Sequence, residues 1–228
     1  MLFLSFPLAG PLQSWGPPSP WDIKMTASMP TKSAVVGLIA ACFGYKRGDP
    51  RIQELADGLQ MAVRADRPGS VMEDFQTVHS NKTYMVSASG AERTGSGASK
   101  PTTLTIKRQY LQDAKFTVFL GGKEDLLLRI RDAMKAPVFL TYLGRKTCVL
   151  SEPLIPVLVQ ANSLYEALRE LPLQGRDTER RRVLVEADTQ TSDRGSLSQR
   201  VFTRRDRMIH GCDKNYAARK VISYYIDM

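Results

Sequence analysis

His79, Lys82 and Tyr84 sit close together in the chain and carry the three groups that metal-independent RNA cleavage uses. Such cleavage needs a base for the 2′-hydroxyl proton, an acid for the leaving oxygen and a cation for the phosphorane. The same residues border a Gly/Ser-rich stretch, where side chains of these types ordinarily face solvent and do no chemistry. Spacing alone leaves both readings open.

Other residues suit binding. Gly10-Pro11-Leu12-Gln13-Ser14-Trp15-Gly16 is a loop where backbone can approach a ligand closely, with Trp15 as a stacking surface and Gln13 as a donor. The alternative is that Trp15 plugs the core beneath the loop. Thr31, Lys32 and Ser33 open a helix, whose free N–H groups and partial positive charge suit a phosphate. A plain capped helix is the simpler alternative. Tyr142-Leu143-Gly144-Arg145-Lys146-Thr147 is a glycine turn followed by two cations and a hydroxyl, fit to cradle phosphate or to make a solvated turn. No G-x-x-x-x-G-K-[ST], G-x-S-x-G or H-E-x-x-H spacing occurs, which argues against nucleotide hydrolysis and protease chemistry.

The balance of charge favours a polyanion partner. The 228 residues carry 32 Lys and Arg against 23 Asp and Glu, a net +9. No stretch loads cations on one side and large apolar groups on the other, so a membrane surface fits less well than nucleic acid. No run approaches the ~20 apolar residues of a membrane span. Met1–Phe6 is apolar without a basic leader and reads as a strand, so a cytoplasmic protein is expected. Cys42, Cys148 and Cys212 form no C-x-x-C pair, and with only His79 and His210 no metal site or cofactor is expected.

These residues need elements to hold them. Residues 2–9 alternate, with Leu2, Leu4, Phe6 and Leu8 on one side and Phe3 and Ser5 on the other, and read as a strand. Five prolines between 10 and 30 exclude regular structure there. A helix follows, with Thr31 as cap, Val35, Leu38, Ile39 and Cys42 as its buried stripe and Gly44 as its stop. A short helix runs from Asp49-Pro50 to Gly58, and Leu59–Arg67 reads as a strand. From Ser80 to Thr103 the chain turns to Gly and Ser with Lys82, Arg93 and Lys100 interspersed: a surface loop, or a projecting hairpin that orders on RNA. Leu104–Leu111 and the Phe116, Val118, Leu120 segment are strands. A helix spans about 123–135, burying Leu127, Ile130 and Met134. Residues 149–159 form a strand near a sheet edge, because Pro153 and Pro156 interrupt it. Ser163 and Glu166 form a capping box, Val183–Ala187 and Val221–Ile226 are strand candidates, and Arg180–Arg182 with Arg200, Arg204, Arg205 and Arg207 form two basic clusters.

The order strand, helix, strand, strand, helix, strand is that of an α+β, ferredoxin-like (RRM-like) fold. Three segments in order, the Leu8–Gly16 loop, the Pro30-Thr31-Lys32-Ser33 helix start and the Tyr142–Cys148 turn, resemble the CasD family of Cascade, the type I-E CRISPR surveillance complex. The resemblance covers most of residues 1–160. It implies a RAMP fold over 1–160 with a β-hairpin thumb at about 80–108, and an elaborated C-terminal extension, 161–228, packed on it. It implies a non-catalytic subunit that binds and caps the 5′ handle of crRNA. Its partners would be a CasC-type backbone subunit and a CasA-type large subunit, with target DNA reached through the complex. Handle contacts would fall at Gly10, Gln13, Ser14, Trp15, Thr31, Lys32, Ser33, Tyr142, Gly144, Arg145 and Lys146, and thumb contacts at Lys100, Lys107 and Arg108. The related type I-C processing endoribonuclease uses a Tyr with an adjacent Lys-His pair. Neither His79 nor His210 follows a lysine, so RNA processing is the minority expectation.

Overall fold

Strand β1 (Leu2–Ala9) shows what organises the protein. Leu4, Phe6 and Leu8 enter one core while Phe3 enters another. A strand buried on both faces must lie in a sheet covered on both sides. The structure, a computed structural model, describes residues 1–16, 23–79, 84–86, 92–94, 103–173, 182–188, 200–208 and 216–228.

Helices α1 (Lys32–Cys42) and α2 (Arg51–Gly58) connect β1 to a strand at Gln60–Arg67. Helix α3 (Glu124–Lys135) connects a strand at Lys115–Gly121 to one at Val157–Gln160. These helices cover one face of the sheet, with Val35, Leu38, Ile39, Leu127 and Ile130 in its core. Cys42 lies in the same core, and burial pushes its thiol up to about 11. Helix α4 (Leu164–Glu170) covers the other face, placing Leu164, Ala167 and Leu168 against Phe3, Ala62 and Phe119. Ser163 Oγ accepts from the Glu166 N–H at 3.2 Å, so the expected cap is present.

Numbered along the chain, short strands β2 (Leu12–Gln13) and β3 (Ile23–Lys24) precede β4 (Gln60–Arg67); they correct the expectation of no regular structure over 10–30, because these two-residue segments lie between the prolines and pair with a distant strand. Then come β5 (Ser70–His79), β6 (Tyr84–Val86), β7 (Glu92–Thr94), β8 (Thr103–Gln112), β9 (Lys115–Gly121) and β10 (Val157–Gln160). The last are β11 (Arg182–Asp188), β12 (Arg200–Met208) and β13 (Tyr216–Asp227). Among the described residues the main sheet has seven strands in the order β10-β1-β9-β4-β11-β13-β12, all antiparallel. The chain is thus a mixed α/β protein with one large antiparallel sheet. Strands β11, β13 and β12 extend that same sheet, because β11 pairs with β4 at Val185↔Arg64 through Ala187↔Ala62.

Two boundaries differ from the sequence reading. The strand expected at 149–159 is confined to Val157–Gln160, since the prolines at 153 and 156 remove ladder donors from its first half. It is an edge strand, pairing only with β1 among the described residues. The expected hairpin at about 80–108 rests on a longer base. β5 and β8 pair over ten positions, from Ser70↔Gln112 to His79↔Thr103. At ~3.4 Å per residue this makes an arm about 30 Å long. β2 and β3 add to β8 and tie the arm's root to the N-terminal loop.

Candidate nucleic-acid interface

The Gly10 loop and the Tyr142–Cys148 turn, far apart in sequence, are locked together. The Ser14 N–H donates to Leu143 O at 3.0 Å, and the turn closes on itself through Leu143 N to Cys148 O and Cys148 N to Arg145 O, both 2.8 Å. Gly144 has φ +86°, and a Cβ there would stand 1.7 Å from Ser14 O. A Cβ on Gly10 would stand 2.5 Å from Val149 O. Both glycines therefore serve a backbone-to-backbone approach within the protein. Arg145 holds the turn against the arm. Its guanidinium donates to Gln109 O at 3.3 Å and Lys24 O at 3.0 Å, and lies 4.8 Å from the centre of the Tyr110 ring.

Several expected contact residues lie beneath the surface. Trp15 and Gln13 are each fully buried. The Trp15 indole N–H donates to Gln13 Oε1 at 3.1 Å, and Gln13 Nε2 donates to Ala114 O at 2.7 Å and Leu8 O at 3.3 Å. Trp15 is the plug under the loop, and neither side chain is open to a ligand in this conformation. Ser14 is buried too, its hydroxyl directed to Gln109 O.

The helix start is occupied as well. Thr31 takes the N-cap position of α1 without a side-chain capping bond. Asp206 supplies the cap: its Oδ2 accepts from the Lys32 N–H at 2.9 Å. The Lys32 ammonium is buried and donates to Leu59 O at 2.6 Å and Asp188 Oδ2 at 3.3 Å. Arg219 bridges the two acids, donating to Asp206 at 2.9 and 2.7 Å and to Asp188. Arg204 pairs with Glu186 at 2.7 Å beside them. A phosphate at this helix end would have to displace a carboxylate already held by a guanidinium. Burial opposes ionisation of Asp206, but the hydrogen bonds and charge of Arg219 outweigh it and hold its carboxyl below the usual range. For Glu186 burial prevails over Arg204 and pushes the carboxyl up.

Three of the expected contact residues meet in one groove of about 530 Å³. Ser33 on α1 and Tyr142 and Gly144 on the turn line it. So do Tyr45, Lys46 and Arg47, Phe139, and Tyr216 of β13, none of which the sequence reading singled out. The signal was present as the run Phe43-Gly44-Tyr45-Lys46-Arg47, rings beside cations just past a helix end. The groove walls are fixed to the helix. The N–H groups of Val138 and Phe139 donate to Cys42 O and Ala41 O at 3.0 and 3.1 Å, satisfying the last carbonyls of α1. Tyr45 is stacked on Phe43 at 5.2 Å, with Arg51 4.0 Å from its centroid. Lys146 is exposed on the turn.

On the arm, Lys107 faces solvent and meets Glu73 at 3.2 Å, an exposed pair of small energetic value. Phe75, directly opposite Lys107 in the ladder, is 61% exposed. Arg108 lies on the other face, opposite Asp74, and its Nε has no hydrogen-bond partner among the described residues. Lys100 lies outside the described residues. His79 is exposed at the far end of β5, opposite Thr103; Lys82 and the Tyr84 side chain lie outside the described residues.

A family model described as CRISPR-associated protein (Cas_Cas5) matches residues 3–216. The chain belongs to this family. It is 34% identical over 170 residues to the CRISPR system Cascade subunit CasD of Escherichia coli (strain K12), covering 73% of this chain and 75% of that protein. In solved structures, a chain of a CRISPR RNA-guided surveillance complex superposes with a TM-score of 0.76 at 30% identity, over 100% of this chain and 91% of the other. A second, described as a Cas protein, superposes with a TM-score of 0.71 at 31% identity, over 99% and 95%. For this Cas_Cas5 family member the similarity spans the main sheet, the arm and the C-terminal strands together, so the groove is framed by elements that belong to the shared fold.

Proposed function

We propose that this chain is a non-catalytic subunit of a type I-E CRISPR surveillance complex that grips and caps the 5′ handle of crRNA. The observation that carries the reading is the groove where Ser33, Tyr142 and Gly144 meet the cations Lys46 and Arg47 and a set of aromatic rings. Single-stranded RNA is held by cations for its phosphates and flat groups for its bases, and the groove supplies both. The net charge of +9 gives the long-range attraction. The similarity to the CasD subunit and to a surveillance-complex chain supports membership in such a complex.

The β10-β1-β9-β4 part of the sheet, with its crossover helices on one face, is read as the ferredoxin-like unit of this fold. The β5–β8 arm is the thumb, reaching along the RNA with Lys107 and Arg108. A CasC-type backbone subunit would meet the arm, whose Val71 and Phe75 are exposed apolar groups suited to a protein neighbour, and a CasA-type subunit would sit at the capped end. No described helix is long and apolar enough to cross a membrane, and the subunit is assigned to the cytoplasm with its RNA.

The test is binding of the purified protein, alone and with neighbouring subunits, to labelled repeat-derived RNA without metal, with intact and cleaved RNA scored together. Handle-dependent binding without cleavage is the expected result. Cleavage lost in His79→Ala would make the chain a processing endoribonuclease instead.

A further inference from the structure

A second cavity, of about 870 Å³, shares no lining residue with the groove. It lies at the end of β11. The β11 ladder reaches Asp188, opposite Val221, whereas β12 and β13 stay paired beyond that point as far as Met208↔Tyr216. This overhanging ribbon forms one wall, through Arg207 and Lys220, and the turn from β9 into α3 forms another, through Gly122 and Lys123. Gly122 lets that turn lie against the end of α2, because a Cβ there would stand 2.8 Å from Gly58 O.

Five cations line the cavity against three acids, and the chain's own pairings do not use them all. Lys32 and Arg219 both hold Asp188, and Arg207 meets Asp57 at 3.0 Å. The third acid, Glu124, stands in the first turn of α3, where its charge favours the helix. Lys123 and Lys220 are exposed and have no charged partner among the described residues. The cations left over are thus lysines, while both arginines are engaged with carboxylates. A planar carboxylate is matched best by the arginine fork; an ammonium is a point charge that meets a phosphoryl oxygen from any direction. Two ammonium groups on separate elements suit an anion whose charge is spread over several groups, as in a chain of phosphates. The volume is within the roughly 300–1,000 Å³ of clefts that enclose small ligands.

We propose that this cavity is a binding site for a polyphosphate group, held between Lys123 and Lys220. Inorganic polyphosphate and the phosphate chain of a nucleotide share this chemistry. Phe3, Leu59 and Ala218 on the lining give a nucleoside apolar surface to rest on. The site uses no residue of the groove and stands independently of the handle-binding reading.

The experiment is calorimetric titration of the full chain at physiological salt with inorganic triphosphate, ATP and adenosine. Wild type is compared with Lys123→Ala/Lys220→Ala and with Lys46→Ala/Arg47→Ala. The expected result is saturable one-to-one binding of triphosphate that the first double variant weakens about tenfold or more and the second leaves unchanged. ATP binding as tightly as triphosphate would identify the phosphate chain alone as the ligand; tighter ATP binding would add the nucleoside. Absence of saturable triphosphate binding, or an equal loss in both double variants, would overturn the site. Hydrogen exchange of the wild type gives a second readout that needs no variant. Triphosphate should slow exchange at residues 122–124 and 218–220, and protection confined to other segments would overturn the assignment. Loss of handle RNA binding by the wild type would count against the groove and leave this site standing.

Discussion

The backbone N–H of Lys32 donates to Asp206 Oδ2 at 2.9 Å, joining the first turn of α1 to a strand 174 residues away in sequence. The Lys32 side chain makes a second tie to Asp188, and Arg219 spans both acids. The helix N-terminus that looked open to phosphate is thus closed by the protein's own carboxylate, and the groove proposed to meet RNA begins at Ser33 on the same helix.

Removing Asp206 should cost much of the fold's stability. Asp206→Ala leaves the Lys32 N–H without its buried acceptor and Arg219 with Asp188 alone, a change expected to destabilise by about 3–5 kcal/mol. Urea unfolding of wild type and variant measures it. A loss below ~1 kcal/mol would mean that the charge network is not coupled to folding.

The same residue predicts a pH dependence. A carboxyl whose pKa is lower folded than unfolded stabilises above its unfolded value, about 3.9 for Asp, and that stability is lost as pH falls through the folded value. Glu186 is shifted the other way, so its contribution is present at low pH and is lost as pH rises through its raised folded value. The urea midpoint of wild type should therefore fall more steeply below about pH 4 than that of Asp206→Asn.

Trp15 separates a core plug from a stacking platform. Trp15→Phe should lower stability by about 1–3 kcal/mol through a cavity and the lost partner of Gln13 Oε1, while handle affinity of the folded protein stays unchanged. A tenfold affinity loss with unaltered unfolding, set roughly by the stacking of one base, would reverse that assignment.

Gly144→Ala should unseat the turn from the loop. The substitution meets both a φ of +86° and Ser14 O at 1.7 Å from the new Cβ. A loss of about 2 kcal/mol or more is expected. Faster hydrogen exchange at the Ser14 amide, whose bond to Leu143 O would open, localises the effect.

Lys46→Ala and Arg47→Ala should weaken handle binding without changing the melting temperature, because both side chains are exposed. If each meets a phosphate, the slope of log affinity against log salt should fall by about 0.7 per contact removed. A slope equal to that of wild type would place the RNA elsewhere.

Local periodicity made much of the frame legible. The alternation of Leu2–Ala9, the stripe of Val35, Leu38, Ile39 and Cys42, and the stripe of Leu127, Ile130 and Met134 mark elements that the structure contains, because one-sided burial writes its period into the chain. β5 and β12 were not legible in this way. Phe75 and Val71 on β5 are exposed, and Asp206 on β12 is a buried charge among arginines, so neither strand carries the pattern of an apolar buried face. The Gly10–Gly16 loop, the Thr31–Ser33 helix start and the Gly144 turn were visible as segments able to meet RNA. Which of their side chains face outward was decided by partners remote in sequence: Ala114 for Gln13, Asp206 and Asp188 for Lys32, Gln109 and Lys24 for Arg145. Apolar spacing is a property of neighbours along the chain. The pairing of a charge or an amide depends on which strands come together and in what register, and only the tertiary structure decides that.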